Sequence, residues 1–320
     1  MFLKKIAESI KNNQYIIEKK EINPIVQYID NHSFKSSKIF TDIGEDAASI
    51  EDNDKLVLVT TDRIRTSFIE NFPFGAGFSS ILVSVDDIYA CGGTPLAASI
   101  IISVKDPKLC NEILMGICEG SNKFQVPIIR GHTNVRSECF ELSSTMIGGI
   151  NKRDYISAGG AQINDDVLLV VDFDGKIGKA SKLYYDTTTF KSSEEVLTKR
   201  RAMNILAKRH LANASKDVSN GGIFGTILQM IKYSEVGANI TVNDIKIPQI
   251  LIDSNYDLET YIKMYLTTSF IVSTPEYNSD KAIKVFKEQK MNAQVIGKII
   301  EQKNLLKIND GKNSIDVIKF

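Results

Sequence analysis

The sequence predicts a two-domain protein, with an α/β first half and an α+β second half whose sheets are mostly antiparallel. Three observations support this prediction. The chain has 320 residues, and about 150 residues per domain is usual. Its apolar segments do not follow the regular βαβα alternation of a doubly wound sheet. A polar segment with paired glycines, 152–165, interrupts the pattern, so we expect domains at 1–155 and 156–320.

Apolar segments define the elements of the first half. The segment 55–61 is short and rich in β-branched side chains, which predicts a buried strand. Apolar side chains at helical spacing predict a helix over 77–91, which ends at Gly92-Gly93 with Pro95 just beyond. The elements predicted next are a strand at 96–104, a helix at 108–124 and strands at 126–129 and 140–150.

The second half begins with a strand at 167–173. A long helix then runs to about residue 211. Ser193 is its expected N-cap, because Glu194 and Glu195 in the first turn face the positive end of the helix dipole. The remaining predicted elements are helices at 222–233 and 280–290, and strands at 238–242, 269–273 and 293–300.

Composition favours a small-molecule partner. Basic and acidic residues both number 39, so the formal net charge is zero and does not indicate binding to nucleic acid or to an anionic membrane. Residues 1–20 are amphipathic and rich in lysine, and no apolar run approaches the ~18 residues of a membrane span. We therefore expect a cytoplasmic protein.

The four cysteines are predicted to be buried, reduced thiols. They form no CxxC pair and have no zinc-ligand spacing. Two of them fall inside a helical apolar pattern, where a thiol packs as a small apolar group. The four are Cys91, Cys110, Cys118 and Cys139.

Acidic residues recur beside small residues between positions 42 and 95. Gly44-Glu45-Asp46, Thr60-Thr61-Asp62 and Asp86-Asp87 interrupt apolar segments. Magnesium prefers oxygen ligands and takes one or two carboxylates while sharing water and phosphate. Asp62 directly ends a strand, where ligands commonly bind. Glu45 and Asp86, taken alone, also fit solvated turns or helix caps.

Paired glycines mark two further positions. Gly92-Gly93 is either a helix C-cap or a phosphate contact. Gly221-Gly222 precedes an apolar helix, so its amides lie at a helix N-terminus, where anions are favoured. Asp217, just upstream, is either part of the capping loop or a ligand.

Basic residues follow two of the strands. Arg63 and Arg65 come directly after Asp62 and point the same way on an extended segment; they suit either phosphate recognition or an ordinary surface. Arg130-Gly131-His132-Thr133 closes the strand 126–129. His132 is a candidate acid or base near neutral pH, and a structural histidine is the alternative.

Taken in order, these motifs carry a family resemblance. The chain resembles the superfamily of aminoimidazole ribonucleotide synthetase, which also holds selenophosphate synthetase, thiamine monophosphate kinase and the hydrogenase-maturation dehydratase. Within it, Tyr185-Asp186-Thr187-Thr188-Thr189 and Lys263-Met264-Tyr265 look most like the methanogenesis marker 2 branch. The motifs that carry the resemblance are Gly44–Ala48, Thr60–Asp62, Asp86–Pro95, Gly131–Thr133 and Asp217–Gly222.

The resemblance implies a fold and a cofactor. An N-terminal α/β domain is expected to pair its sheet with that of a second subunit into a barrel, and a C-terminal α+β domain is expected to follow. ATP is expected in the cleft between the domains, held through Mg²⁺ because several aspartates would otherwise repel it.

The resemblance also implies roles for individual residues. The expected metal ligands are Asp46, Asp62, Asp87 and Asp217, with Glu45 beside them. The expected nucleotide contacts are Gly44, Asp86, Gly92, Gly93, Gly131, Thr133, Asn220, Gly221 and Gly222. The expected substrate or phosphate contacts, and so the candidate catalytic residues, are His132, Arg63 and Arg130, with Arg65 beside them and hydroxyl donors from Thr187–Thr189.

Departures from the family pattern keep several functions open. Residues 1–43 contain no Cys and no Gly, which argues against selenide chemistry; Glu45 and Arg130 replace an Asp and a Gly, which argues against thiamine monophosphate kinase. The leading hypothesis is a homodimeric Mg²⁺-dependent enzyme that phosphorylates or ATP-activates a small substrate. A kinase-like or selenophosphate synthetase-related activity is one alternative, and a nucleotide-binding accessory protein in cofactor or metalloenzyme maturation, without turnover, is another.

Overall fold

A computed structural model describes residues 2–319, apart from the side chains of residues 20 and 23. The helices are α1 (Phe2–Lys11), α2 (Gln14–Glu21), α3 (Asn23–His32), α4 (Thr66–Asn71), α5 (Pro73–Ala90), α6 (Pro107–Phe124), α7 (Ser193–Lys208), α8 (Gly222–Tyr233), α9 (Gln249–Asp253), α10 (Leu258–Tyr261) and α11 (Ser279–Glu288). The strands are β1 (Ile39–Thr41), β2 (Ala48–Asp52), β3 (Lys55–Arg63), β4 (Thr94–Ser103), β5 (Ile128–Asn134), β6 (Glu141–Asn151), β7 (Asp166–Val171), β8 (Lys176–Ile177), β9 (Tyr184–Asp186), β10 (Ala214–Asp217), β11 (Gly237–Thr241), β12 (Tyr265–Leu266), β13 (Ser269–Thr274), β14 (Asn292–Ile300), β15 (Leu305–Asn309) and β16 (Ser314–Lys319).

The first sheet has the strand order β1-β2-β3-β6-β4-β5. Its neighbours are antiparallel except for the parallel pair β4 and β5. The apolar helices α5 and α6 pack against each other, and α5 packs on one face of the sheet through buried residues such as Ile81 and Val85. The opposite face lies open, which leaves its side chains half-buried or exposed.

The second sheet has the order β10-β13-β7-β14-β11-β15-β16, with β11 and β15 parallel and the other pairs antiparallel. All six residues of β7 are buried because both faces are covered. Leu168 and Val170 join an apolar core that continues into the first sheet's helices, whereas Val167 and Leu169 face a second core around α8. A small third sheet, β12-β9-β8, lies beside it.

The N-terminal helices pack on the second half of the fold. Ile6 and Ile10 of α1 are buried in the core around α8, and Lys5 Nζ lies 2.6 Å from a carboxylate oxygen of Glu259. The first sheet uses strands from 39–151 and the second uses strands from 166–319. The boundary at 155/156 stays a prediction, and residues 2–21 associate with the sheet that lies beyond it.

The mostly antiparallel sheets are confirmed, and most predicted elements are found within a few residues of their expected ends. The N-cap of α7 is Ser192 rather than Ser193, because Ser192 and Glu195 form a reciprocal capping box. Residues 130–133 lie inside β5 rather than beyond its end. Several elements were not predicted. They are the N-terminal helices α1, α2 and α3 and the short elements α4, α9, α10, β1, β2, β8, β9, β10, β12, β15 and β16.

Two other predictions need correction or remain open. Cys91 is buried and Cys110 is partly buried, but Cys118 and Cys139 are exposed, so the prediction of burial is wrong for these two.

Across residues 2–319 none of the three sheets closes into a barrel. Within the same range, no helix combines the length and the hydrophobicity that crossing a bilayer requires.

Candidate functional site

Three aspartates from separate elements converge between the two halves of the fold. Asp46 precedes β2, Asp87 lies on α5 and Asp217 ends β10. One carboxylate oxygen from each can be chosen so that all three lie within 4.8 Å of one another. Residues that are 41 to 171 positions apart in the sequence therefore lie close together in the fold.

Asp62 joins this group through the contact between β3 and α5. Ser84 of α5 donates its hydroxyl to Asp62 Oδ2 at 2.8 Å, and Thr60 of β3 donates to Asp87 Oδ2 at 2.5 Å. The two hydroxyls hold the carboxylates side by side at the helix–sheet contact. We call Asp46, Asp62, Asp87 and Asp217 the carboxylate cluster.

The carboxylate cluster is crowded and poorly solvated. Burial raises the pKa of Asp87 well above its usual range, and the charges of Asp62, Asp217 and Asp46 raise it further. Burial, then the charge of Asp46, does the same to the pKa of Asp217. Burial also raises the pKa of Asp62. Bringing these like charges together costs free energy, which a bound cation would offset.

One buried lysine offsets part of this charge. Lys216 Nζ forms an ion pair with Asp46, and both side chains are about 5% exposed (5% and 6%). The same ammonium lies 3.4 Å from the carbonyl oxygen of Gly44, and the Asp217 amide donates to Asp46 Oδ2 at 3.3 Å. Lys216 was not predicted from the sequence.

The donor set suits a hard divalent cation. Two oxygens bound to one Mg²⁺ at about 2.1 Å are at most about 4.2 Å apart, so three oxygens that lie within 4.8 Å of one another would have to approach further to share the ion. The four acids of the carboxylate cluster outnumber the two lysines close to them, Lys216 and Lys19, so a bound cation would be favoured there. Asp46, Asp87 and Asp217 would hold the ion, with Asp62 beside them.

A cleft of about 510 Å³ opens from the carboxylate cluster, and Asp62, Asp87 and Asp217 line one part of it. Its other walls carry the cationic side chains Arg63, Arg65 and Lys263 and a pair of tyrosines, Tyr184 and Tyr265. The two tyrosine rings are stacked with centroids 5.9 Å apart. The cleft thus combines cations with aromatic surface beside the carboxylates.

Two acidic residues that were expected at the site are engaged elsewhere. Asp86 is 2% exposed and forms a bidentate ion pair with Arg200, at 2.7 Å to Nε and 3.2 Å to Nη2. Glu45 accepts hydrogen bonds from the Ser157 hydroxyl at 2.6 Å and the Ala158 amide at 2.7 Å. Asp86 therefore links α5 to α7, and Glu45 links its own loop to residues 157–158. We leave both out of the proposed ligand set.

The glycine motifs serve packing as well as turns. Gly44 has φ +95°, and a Cβ there would lie 2.3 Å from the ring of Tyr233. Gly92 has φ +75° at the end of α5, and its carbonyl and that of Gly93 accept hydrogen bonds from the Asn204 amide at 2.8 and 2.7 Å. This geometry supports the C-cap interpretation of Gly92-Gly93.

The second glycine pair lies partly at the cleft. Asn220 and Gly221 line it, as does Ser219. The Gly222 amide donates to the Ser219 carbonyl at 3.0 Å, and the next amide donates to the Ile262 carbonyl at 3.1 Å. Because these two amides already have partners, an anion here would meet side chains and the preceding loop rather than the first turn of α8.

The expected contacts on β5 are remote from the carboxylate cluster. Asp62, Ser144, Ile100 and Gly131 lie in one row across four strands, and three strand spacings amount to roughly 14 Å. The neighbours of Gly131 are the exposed residues Arg130, His132 and Thr133. The structure does not bring these four residues to the cleft within one chain.

The threonine segment also points elsewhere. The hydroxyls of Thr187 and Thr267 are 2.9 Å apart, and the amides of Thr188 and Thr189 donate to Asp186 Oδ1 at 2.9 and 3.0 Å. Thr187 and Thr188 are buried. This segment stabilises the loop that follows Tyr184, and its hydroxyls are occupied there.

Several residues at the site gave no clear sequence signal. Lys216 stands in a four-residue strand too short to show periodicity, and Tyr184 and Tyr265 come from strands of three and two residues. Tyr184 and Tyr265 lie opposite each other on paired strands, although they are about 80 residues apart in the sequence. Only the position of Lys216 directly before Asp217 in the sequence could have indicated that it lies at the site.

The chain matches two domain families. Residues 44–150 match the N-terminal domain of AIR synthase related proteins, and residues 173–306 match the C-terminal domain. An uncharacterized protein of Methanocaldococcus jannaschii is 33% identical over 322 residues, which cover 100% of this chain and 98% of that protein. A thiamine-monophosphate kinase of Buchnera aphidicola subsp. Schizaphis graminum is 25% identical over 317 residues, 95% of each chain.

Solved structures support the fold. PurL of T. maritima, complexed with ATP, superposes with a TM-score of 0.73 at 11% identity over 87% of this chain. The match covers 47% of the PurL chain, so this protein spans about half of PurL's length. Three findings therefore agree: the two-domain architecture shared with PurL, the two family matches and the relative that is similar over its whole length. The chain belongs to the AIR synthase related protein family.

Proposed function

We propose that this protein binds ATP together with Mg²⁺ in the cleft and uses it to phosphorylate or otherwise activate a small-molecule substrate. The observation that carries the proposal is the carboxylate cluster, because three of its acids from separate elements meet within 4.8 Å beside a cleft with cationic walls. The kinase among the relatives and the ATP complex of PurL support the same class of ligand.

In this proposal the acidic residues hold the metal ion, and the basic residues contact the phosphates or an anionic substrate. ATP carries about four negative charges, which the acids would repel unless a cation lay between them. When bound, Mg²⁺ would neutralise charge on the phosphates. Arg63, Arg65 and Lys263 are the chain's own cations for the phosphates or for an anionic substrate. Catalysis would depend on positioning and charge stabilisation rather than on a covalent intermediate.

The cleft also limits the substrate. A volume of about 510 Å³ suits small molecules. The stacked pair Tyr184 and Tyr265 offers a flat wall for a ring, either the adenine or a ring of the substrate. His132 and Arg130, expected as substrate contacts, remain candidates only if a second chain brings their face of the sheet to a site.

We propose a homodimer formed through the open face of the first sheet. Leu96, Ile101 and Ile129 on the neighbouring strands β4 and β5 are 56%, 41% and 63% exposed, and burying such large apolar side chains against a partner would be favourable. β5 is also an unprotected edge strand. A solution mass by light scattering should equal two chains; the mass of one chain at micromolar concentration would contradict this.

Asp87→Asn tests the nucleotide proposal. The variant removes a charge that the ion needs while keeping the hydrogen bond from Thr60, so affinity for Mg²⁺–ATP should fall at least about 10–100-fold. The matched control is Asp54→Asn, an exposed residue of the hairpin between β2 and β3. Calorimetric titration measures binding, and a phosphate-release assay measures turnover.

The outcomes separate the alternatives. Binding without phosphate release, with substrates screened, would favour the accessory protein without turnover. A wild-type chain that takes up no adenine nucleotide with Mg²⁺ present would end the proposal. So would an Asp87→Asn variant that binds as tightly as the control.

A further inference from the structure

Helix α2 lies outside the stretch that matches the family, which begins at residue 44. It nevertheless packs against the candidate site. Lys19 Nζ donates to Ser219 Oγ at 3.3 Å and to Gln229 Oε1 at 2.6 Å. Ser219 lines the cleft and is two residues from Asp217, so the ammonium of Lys19 contacts a residue of the cleft wall close to the carboxylate cluster.

Neighbouring residues fix α2 in this position. Tyr15 lines the cleft, and the guanidinium carbon of Arg65 lies 4.7 Å from its ring centroid. Glu18 forms an ion pair with Arg65 at 2.9 Å, although both side chains are about half exposed (40% and 54%), so this pair contributes little. Helix α2 therefore contacts both halves of the fold beside the cleft.

The surroundings of Lys19 are electrostatically mixed. Burial and the charge of Lys216 lower its pKa to about 8, and the charges of Asp217 and Asp46 act in the opposite direction. Lys19 is thus a cation held close to the carboxylate cluster by neutral partners, Ser219 and Gln229, rather than by an ion pair of its own.

We propose that Lys19 is a positioning residue for the nucleotide: it holds the 219–221 segment through Ser219 and supplies positive charge behind the cleft wall that favours the anionic Mg²⁺–nucleotide complex. This inference rests on the proposed function. It assigns a role to a helix that the family match does not cover.

A cation near Asp217 repels a lone divalent ion but attracts a complex whose net charge is negative. Removing the charge of Lys19 should therefore change the two affinities in opposite directions. A residue that merely stabilised the local fold would, on removal, weaken both.

Lys19→Met, which keeps the length of the side chain, tests this in the full chain. Mn²⁺ alone, titrated by its electron paramagnetic resonance signal, should bind about fivefold more tightly, whereas Mg²⁺ with the ATP analogue AMPPCP should bind about fivefold more weakly by calorimetry. Lys19→Arg should restore the AMPPCP affinity. Lys11→Met, an exposed lysine at the end of α1, is the matched control and should change neither.

Each outcome decides something. If Lys19→Met weakens both ligands, or changes neither, Lys19 is structural or idle and this inference fails while the proposed function stands. If wild type binds Mn²⁺ but no AMPPCP, or neither, the proposed function fails and takes the inference with it. Opposite shifts together with rescue by arginine support the inference.

Discussion

Asp86 and Asp87 are adjacent on α5, yet their surroundings differ completely. Asp86 is 2% exposed and meets Arg200, which is 0% exposed, through two hydrogen bonds. Asp87 meets three other carboxylates and one hydroxyl. The helix turns about 100° per residue, so the first acid faces α7 and the second faces the cleft.

Structural charge in this fold has a matched partner, whereas most of the charge at the candidate site does not. Arg200 matches Asp86 bidentately, so the pair joins α5 to α7 without any need for a ligand. The carboxylate cluster has one buried ion pair, between Lys216 and Asp46, and its remaining acids hold raised pKa values. Buried charge left incompletely neutralised is the stronger indication of a binding site.

Arg200→Met should have the largest effect on stability. It leaves Asp86 buried without a partner, and breaking such a pair costs about 3–5 kcal/mol. Urea unfolding followed by circular dichroism measures the loss. The double variant Asp86→Leu with Arg200→Met should recover most of it, because two apolar side chains replace both charges. A single variant as stable as wild type would mean that the ion pair does not secure this contact.

A smaller effect is expected from pH on Mg²⁺ binding. The pKa values of Asp87, Asp217 and Asp62 are raised in the folded chain, so folding favours their protonated forms. In metal-free protein these raised pKa values stabilise the folded state. This stabilisation is fully present below the ordinary aspartate pKa and is lost as pH rises through the raised pKa values. Mg²⁺ must displace these protons, so its affinity should rise by up to tenfold per pH unit for each proton released.

The measurement is the shift in melting temperature caused by Mg²⁺ between about pH 5 and 8. The shift should grow with pH in wild type, and Asp87→Asn should reduce both the shift and its slope. A shift that is equal at every pH would show that the carboxylate cluster is already ionised in the free protein, and the contrast with Asp86 would then lose its meaning.

The sequence predicted long elements well and short ones poorly. The helix at 222–233 was predicted with its observed ends because its apolar pattern spans three turns. The strands that carry Tyr184 and Tyr265 are too short to show any period. At the site, the motifs brought out Asp46, Asp62, Asp87 and Asp217, but they could not separate these from Glu45 and Asp86, whose partners Ala158 and Arg200 lie more than 100 residues away.

By itself, the sequence determined the mixed α/β character, the mostly antiparallel sheets and the family, because periodicity, end signals and motif order are local properties of the chain. Only the tertiary structure decided which acids converge at one point and that His132 lies several strands away from them. It also decided that Lys216 pairs with Asp46 and that Lys19 contacts Ser219 of the cleft wall. Charge compensation depends on distances of a few ångströms between segments far apart in sequence, and such distances exist only once the chain has folded.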